Sequence, residues 1–332
     1  MVTKHTGSTK LKSKLLKDPL LSVIIVTRNR PQKLLQALEA LSQNSFSDYE
    51  VIVIDQSNDE SAINLNQKTF LRQFSRFRLI RSKQNGKSKG LNQVIGLSTA
   101  LLVAFTDDDC LPDQDWLYEI NQTFSQYPHI AGIFGKTLPY NPENNIGYTC
   151  PSVFQNNIDT IHIIDQPGNH WERIGFGNNM AFRKLVFEEL GNFKEWLGPG
   201  SIGSNAEDAE YALRVLLSGK KLLYNPKMIV YHNRWLNDQE MRRQELSYIC
   251  GELSCYGYFA LKGHRFAKQV VKDNLRESFY TEPKNLLYLL AHCKKNVFTA
   301  CYWWFLKILA RGRGITVAVL YLSMENIFSW RK

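Results

Sequence analysis

The chain has 332 residues, 44% of them hydrophobic and 22% charged, a composition that excludes intrinsic disorder and allows one large core with an appendage. Its net charge of +10 is confined to the two ends. Residues 1–17 carry five lysines and no acid, residues 18–233 carry 20 basic and 23 acidic groups, and residues 234–332 carry 16 basic and 8 acidic groups. This pattern argues against a nucleic-acid-binding body and for attraction of the ends to an anionic membrane surface.

Residues 1–18 form a basic tail with no signal-peptide core. Residues 20–27 are apolar and rich in β-branched side chains, the pattern of a strand buried on both faces of a parallel sheet. Pro31 then opens a helix with Leu34, Leu35, Leu38 and Leu41 on one side. A second strand is predicted over 49–54, ending in Asp55-Gln56-Ser57-Asn58-Asp59. A polar helix leads from there to a third strand near 77–81. This β-α-β-α-β alternation predicts a doubly wound α/β sheet of Rossmann-like type, whose functional loops follow the first, second and Asp-rich strands.

Gly86-Lys87-Ser88-Lys89-Gly90 either cradles phosphate or is a solvated turn before a helix over 91–99; it lacks the GxxxxGK[ST] order. The apolar run 101–105 ends in Asp107, Asp108 and Asp109, and a new helix is expected beyond Pro112. Three adjacent carboxylates at the mouth of a buried strand need a compensating cation. With no Lys or Arg between Lys89 and Lys136, a divalent metal is the favoured one. The competing reading is an acidic loop that caps the following helix.

The segment 140–171 holds Tyr148, Cys150, His162, His170 and Trp171, whose roles divide between acceptor contact and surface packing. Gly175 and Gly177 would let backbone approach a ligand, with an inner strand over 180–182 and a mobile loop over 197–203. Glu207-Asp208 then opens a helix with Ala212, Leu213, Leu216 and Leu217 on one face and Gly219 at its end. These acids either complement the helix dipole or carry catalysis. Strand pieces over 222–226 and 228–232 follow, the second ending in His232, a metal ligand or a structural histidine. The six cysteines show no CxxC pair or regular spacing, which points to a reduced, cytoplasmic setting without zinc or a disulfide framework. Apolar stretches over 297–309 and 315–322, interrupted by Lys307, Arg311 and Arg313, fall short of the ~20 residues that span a bilayer. They form either an interfacial helix pair or a layer packed on the body.

In order and spacing these pieces resemble the family 2 glycosyltransferases, an inverting group with the GT-A fold. Ser22 to Arg30 is similar to the family's opening strand and turn, 51–55 to its second strand, Thr106 to Asp109 to its DxD-type metal site, and Glu207-Asp208 through Arg214 to its ED motif. The resemblance covers about residues 20–233. It implies a GT-A catalytic domain over 19–233, with a nucleotide-sugar half to about 112 and an acceptor half from 113, and a basic, aromatic helical appendage over 234–332.

The implied reaction is metal-assisted transfer from a nucleoside-diphosphate sugar, a UDP-sugar first, to a hydroxyl of a glycan or lipid-linked acceptor in cell-surface polysaccharide or glycolipid synthesis. By similarity Asp109, with Asp107 and His232, holds Mn2+ or Mg2+. Thr27, Arg28, Asn29, Asp55, Lys87, Lys89, Asn92, Asp107 and Asp108 contact the donor. Asp208 is the general base, supported by Glu207. Leu91 stands where many members have an arginine, and the QxxRW motif of processive members is missing at Gln239 to Arg243, so one sugar is transferred per encounter. The appendage implies peripheral contact with the inner face of the cell membrane. Two alternatives are a nucleotidyltransferase, disfavoured by the glycine-free turn after the first strand, and a non-catalytic sugar- or lipid-binding protein on the same scaffold.

Overall fold

The computed structural model describes residues 18–58, 73–153, 158–167, 175–292 and 297–329. The polar helix expected after Asp59, most of the basic tail, His170 and Trp171 lie outside the described residues. Four parallel strands form the first half of the sheet: β1 (Leu21–Thr27), β2 (Tyr49–Asp55), β3 (Phe77–Arg81) and β4 (Leu102–Asp107), in the order β3-β2-β1-β4. Their β-branched side chains are buried because helices cover both faces, α1 (Pro31–Ser42) on one and α2 (Lys87–Ile95) on the other.

The second half is mixed. β5 (Cys110–Pro112), β6 (Ile130–Pro139), β7 (His162–Ile164), β8 (Asn179–Arg183) and β9 (Lys221–His232) continue the order as β4-β8-β6-β9-β5, with β7 paired to β9. α3 (Trp116–Gln126), α4 (Lys184–Leu190) and α5 (Glu207–Leu217) complete the body. α6 (Asp238–Leu261), α7 (Arg265–Arg276), α8 (Glu282–His292) and α9 (Val297–Ser329) follow it. The doubly wound mixed sheet and C-terminal helical region are those the sequence predicts.

Four differences have physical causes. α2 begins at Lys87, not Leu91, because Gly86 turns the chain at φ 117° and Gly90 sits on Val26, where a Cβ would come within 2.9 Å of the valine. β6 has no counterpart among the expected strands, and its two glycines are set by packing: the Phe182 ring occupies the space of a Cβ on Gly132, and the Met228 carbonyl and Asn179 that of one on Gly135. β9 is a single strand where two pieces were expected. Pro226 falls in an irregularity where the pairing jumps from Gly135↔Asn225 to Lys136↔Ile229. α9 is one helix rather than two. Two of its expected interruptions are paired within the bundle, Arg311 buried against Glu282 (3.0 Å) and Glu277 (3.2 Å), and Lys307 bonded to Glu245 (2.5 Å), while Arg313 donates to the Ile202 carbonyl (2.8 Å).

An aromatic cluster fixes α5 to the sheet. Tyr211 meets Phe182 edge-on at 5.0 Å and stacks on Phe187 at 4.7 Å, contacts that contribute about 0.5–1.5 kcal/mol each beyond burial. Arg214 holds Glu210 through two hydrogen bonds (3.0 and 2.7 Å) and donates to the carbonyls of Leu190, Gly191 and Asn192. The start of α5 is thereby set over the carboxyl ends of β1 and β4.

Candidate active site

β1 and β4 are parallel neighbours, so the loops that leave them emerge side by side. The Thr27 hydroxyl donates to Asp108 Oδ2 (2.7 Å), and Arg30 Nη1 reaches both Asp108 Oδ1 (3.1 Å) and Asp109 Oδ2 (2.8 Å). An arginine from the first loop thus compensates the acidic run that lacks a nearby base in sequence. Burial and the Asp109 charge push the Asp108 carboxyl up to about 6, against Arg30 and the Thr27 hydrogen bond. Asp108 faces inward and braces Arg30.

β5 turns back from the acidic run and pairs antiparallel with β9, setting Cys110 opposite His232. His232 Nε2 comes to 3.4 Å from Asp109 Oδ1, while its Nδ1 lies 2.7 Å from the Pro151 carbonyl. A carbonyl only accepts, so Nδ1 carries a proton and Nε2 is the atom turned to Asp109. Burial alone would pull this imidazole down, but the hydrogen bond and charge of Asp109, with Cys150, raise it to about 10. Burial likewise pushes Asp109 up, and His232 and Arg30 outweigh it and hold the carboxyl well below the usual range. Ligand atoms of Asp109, Cys110 and His232 fall within 4.8 Å of one another. Burial drives the Cys110 thiol well upward, so it stays protonated, which leaves Asp109 as the oxygen donor and His232 Nε2 as a nitrogen donor only once a bound cation displaces its proton. Asp107, the third predicted ligand, turns instead to Lys87.

Lys87 opens α2 and bridges two acidic groups far apart in sequence, Asp107 Oδ1 at 2.5 Å and Glu207 Oε1 at 3.4 Å. Burial lowers its ammonium and these two carboxylates outweigh that, holding it charged. Burial, then the Asp208 charge, raises Glu207 to about 7 against the pull of Lys87. Asp208 accepts from Gly177 N–H at Oδ2 (2.6 Å) and from Ala209 N–H at Oδ1 (2.8 Å). A Cβ on Gly177 would sit 2.8 Å from that of Asp208. The close approach expected at Gly177 is therefore to the Asp208 side chain. Gly175 packs on the Gly135 carbonyl. The loop predicted to be mobile over 197–203 is tied down: Lys87 N–H donates to the Pro199 carbonyl (2.9 Å) and the Ser88 hydroxyl to that of Leu197 (2.7 Å).

These groups surround one cleft of about 850 Å³. Thr27, Arg28, Lys87, Asp107, Asp108, Asp109, Glu207, Asp208 and His232 line it, as predicted site residues brought together by the fold. Asn29, Lys89 and Asn92 do not. Asn29, at φ 56°, ties its loop to Asn58, and Asn92 pins α2 to Phe193 through both backbone groups. Asp55 is buried beside the cleft. Its Oδ1 accepts from Ser57 N–H (2.8 Å), while Oδ2 has no hydrogen-bond partner and lies 3.8 Å from Arg81 Nη1.

The helical region predicted as an appendage from residue 234 supplies a wall of the cleft. Arg234 and, on α6, Gln244, Ser247, Tyr248, Glu252 and Tyr256 face it. The sequence signal for these was only their helical spacing. For Arg30 it was position, two residues beyond the flagged Arg28.

The family model described as Glycosyl transferase family 2 matches residues 22–191, slightly over half of the chain. Two proteins of Haloferax volcanii are similar. Glycosyltransferase AglE is 33% identical over 106 residues, 30% of this chain and 33% of that protein. Glucosyl-dolichyl phosphate glucuronosyltransferase is 21% identical over 223 residues, 64% of this chain and 68% of that protein. The match thus spans a third of the first relative's length. Two solved structures share the fold at 15% identity. The mannosyltransferase PcManGT from Pyrobaculum calidifontis, in complex with GDP-Man and Mn2+, has a TM-score of 0.57 over 92% of this chain and 87% of its own. Residues 1–349 of TarS from S. aureus have a TM-score of 0.51 over 92% and 91%.

Proposed function

Because the chain belongs to glycosyl transferase family 2 and has the GT-A fold, we propose that it moves a sugar from a nucleoside-diphosphate sugar to an acceptor hydroxyl, with inversion at the sugar carbon. The observation that carries this reading is Lys87, which joins the donor-side Asp107 to Glu207, next to the proposed base Asp208, in one cleft. Asp109 and His232 hold Mn2+ or Mg2+, and Asp107 contacts the ribose or shares the metal's shell. When bound, the ion stabilises the charge of the departing diphosphate. Thr27, Arg28 and Asp55 form the nucleobase pocket; Asp55 Oδ2, which is ion-paired to Arg81 at 3.8 Å but accepts no hydrogen bond, supports this, since a buried acceptor has room for a donor. Lys87 is the lysine of its loop that faces the phosphates.

Asp208 takes the acceptor's proton as its oxygen attacks the sugar carbon, and the bond to the diphosphate breaks with its electron pair leaving on phosphate. The backbone donors of Gly177 and Ala209 fix the carboxylate and leave each oxygen a further lone pair for that proton. UDP-sugars are the first donor class to test, followed by GDP-sugars, given the GDP-Man complex of the structural neighbour. Calorimetric titration with UDP, GDP and dTDP, each with Mn2+ and again with EDTA, is expected to show one tight nucleotide. Its binding disappears with EDTA and in Asp109→Asn. A folded protein that binds none of them, with or without donor sugar, overturns the reading.

The C-terminal helices support peripheral membrane contact at the cytoplasmic face, in glycolipid or cell-surface polysaccharide synthesis. Phe298, Tyr302, Phe305, Leu309, Leu320 and Ile327 stand exposed along one line of α9 at helical spacing, Phe298 at 93%. Arg265, Lys268, Lys272 and Arg276 form an exposed basic line on α7. Among the described residues no helix is long and apolar enough to cross a membrane. Co-sedimentation with phosphatidylserine-containing vesicles tests the contact, and equal recovery with and without vesicles would sink it.

A further inference from the structure

We infer that Arg234 binds the sugar-side phosphate of the donor's diphosphate and offsets the charge that appears there as the glycosidic bond breaks. This rests on the transferase reading above and adds a residue to its donor site. The first ground is placement. β9 ends at His232, and the chain beyond it is held on both sides. Asn233 N–H donates to the Asp109 carbonyl (2.7 Å), the Asn233 carbonyl accepts from Lys33 Nζ (2.7 Å), and the Asn233 amide donates to Gln36 (3.1 Å). Further on, the Trp235 indole donates to the Tyr140 carbonyl (3.2 Å), and Leu236 and Thr149 exchange two backbone hydrogen bonds (3.0 and 2.8 Å). Of residues 233–236 only Arg234 lines the cleft. Its backbone is thereby fixed two residues beyond the proposed metal ligand, and its Nη2 donates to Gln244 Oε1 on α6 (3.1 Å).

The second ground is charge. The cationic side chains of the cleft are Arg28, Arg30, Lys87, His232 and Arg234. Arg30 is paired with Asp108 and Asp109, His232 with Asp109, and Lys87 with Asp107 and Glu207. Arg28 and Arg234 are bonded to neutral amides, those of Asn58 (3.4 Å) and Gln244, and among the described residues neither forms an ion pair. Arg28 leans toward the loop after β2, on the nucleobase side. Arg234 stands on the metal side: burial pushes the Asp109 carboxyl up, and the charge of Arg234 joins those of His232 and Arg30 in holding it down. Gln244 takes a hydrogen bond from Nη2 and leaves Nη1 and Nε for an anion.

The third ground is the chemistry of the leaving group. In the balanced step the C–O bond to the acceptor forms, its proton moves to Asp208, and the C–O bond to the diphosphate breaks with its electron pair left on the phosphate oxygen. The departing diphosphate therefore carries one more negative charge than it did in the donor. A divalent ion offsets the charge already present in the donor, and the new charge calls for a further cation beside the oxygen that leaves. A guanidinium suits that place, because it meets phosphate through parallel N–H bonds and does not lose its proton. Arg234 lies on the α6 side of Asp109, toward the sugar and the acceptor, so the phosphate it reaches is the one next to the sugar.

The test uses the full-length protein with Mn2+ and compares each nucleoside diphosphate with the monophosphate of the same base, UDP with UMP, GDP with GMP and dTDP with dTMP. Affinities come from calorimetry, by direct titration or, for a weak monophosphate, by displacement of the diphosphate. In Arg234→Gln the diphosphate that the natural protein binds is expected to weaken about tenfold or more, as for a lost hydrogen bond to a charged group. The monophosphate is expected to keep its affinity within about twofold, and Arg234→Lys to recover part of the loss as a point charge without the fork. Mn2+ alone is expected to bind Arg234→Gln at least as tightly as the natural protein, because a positive charge near Asp109 is gone. Equal weakening of both nucleotides, weakening of neither, or a loss of Mn2+ affinity overturns the inference. Weakening of neither would place Arg234 toward the acceptor and leave the transferase reading intact, whereas a natural protein that binds no nucleoside diphosphate fells that reading and this inference with it.

Discussion

The donor side of the cleft is made by the ends of three neighbouring parallel strands, β1, β2 and β4, while the acceptor side is made by the start of α5 and one face of α6. On the donor side each functional carboxylate follows a strand that its own apolar run announces: Asp55 after β2, and Asp107 to Asp109 after β4. On the acceptor side only Glu207-Asp208 is announced by position, and the α6 residues sit within a helix whose spacing does not separate cleft from core. Tyr248 and Glu252 face the cleft, while Ile249 and Leu253, each one residue further on, are buried. A sheet fixes its functional end by topology. A helix used as a wall takes its role from what packs against it.

The largest effect that probes this contrast is at the base. Asp208→Asn keeps the hydrogen bond from Gly177 but loses the proton acceptor. Turnover is expected to fall by ~10²–10⁴-fold with nucleotide affinity unchanged, measured by transfer assay and calorimetry. A similar loss in nucleotide affinity would mean that Asp208 belongs to the donor side and that the division is drawn in the wrong place.

A smaller effect is expected on the donor side from Arg30→Ala, which strands the buried Asp108 and Asp109 without their guanidinium. Arg30 is itself 43% exposed, so the cost is discounted from the value for a fully buried pair to about 1–3 kcal/mol of stability. Mn2+ is expected to raise the melting temperature of this variant more than that of the natural protein, because the ion supplies charge the arginine no longer does. Equal shifts would show that Arg30 and the metal do not share the same carboxylates. On the acceptor side, Tyr248→Phe removes one hydroxyl that bonds Ser152. The acceptor KM is expected to rise several-fold, as for a hydrogen bond of about 1 kcal/mol, with no change in nucleotide affinity.

How much of this was legible follows from the same contrast. Strand positions in the first half came directly from continuous β-branched runs, because burial on both faces leaves no other composition. β6 stayed hidden because its two glycines are required by Phe182, Asn179 and the Met228 carbonyl, partners that only the folded sheet brings near. The acidic run was recognised, yet its compensating cation was sought nearby in sequence. Arg30 and Lys87 reach it because β1 and α2 lie beside β4. Asn29 and Asn92, chosen for their place in functional loops, hold those loops together instead.

The junction between the two sides is Glu207, and its titration offers the finest test. Burial, then Asp208, raises this carboxyl to about 7, against Lys87, whereas a glutamate in the unfolded chain titrates near about 4.3. Between those values the folded protein keeps a proton that the unfolded chain has lost. Stability therefore falls as pH rises through that window, and the loss is complete above it. Glu207→Gln cannot ionise and lacks this slope, so its melting temperature is expected to gain on that of the natural protein from about pH 5 to about pH 7 and to run parallel beyond. The gain is limited by Lys87, which the substitution leaves with Asp107 alone. A gap that stays constant across the window, or that closes as pH rises, would mean that the Lys87 ion pair outweighs burial. Glu207 would then be held as an anion by the donor side, and the two sides of the cleft would be one electrostatic unit.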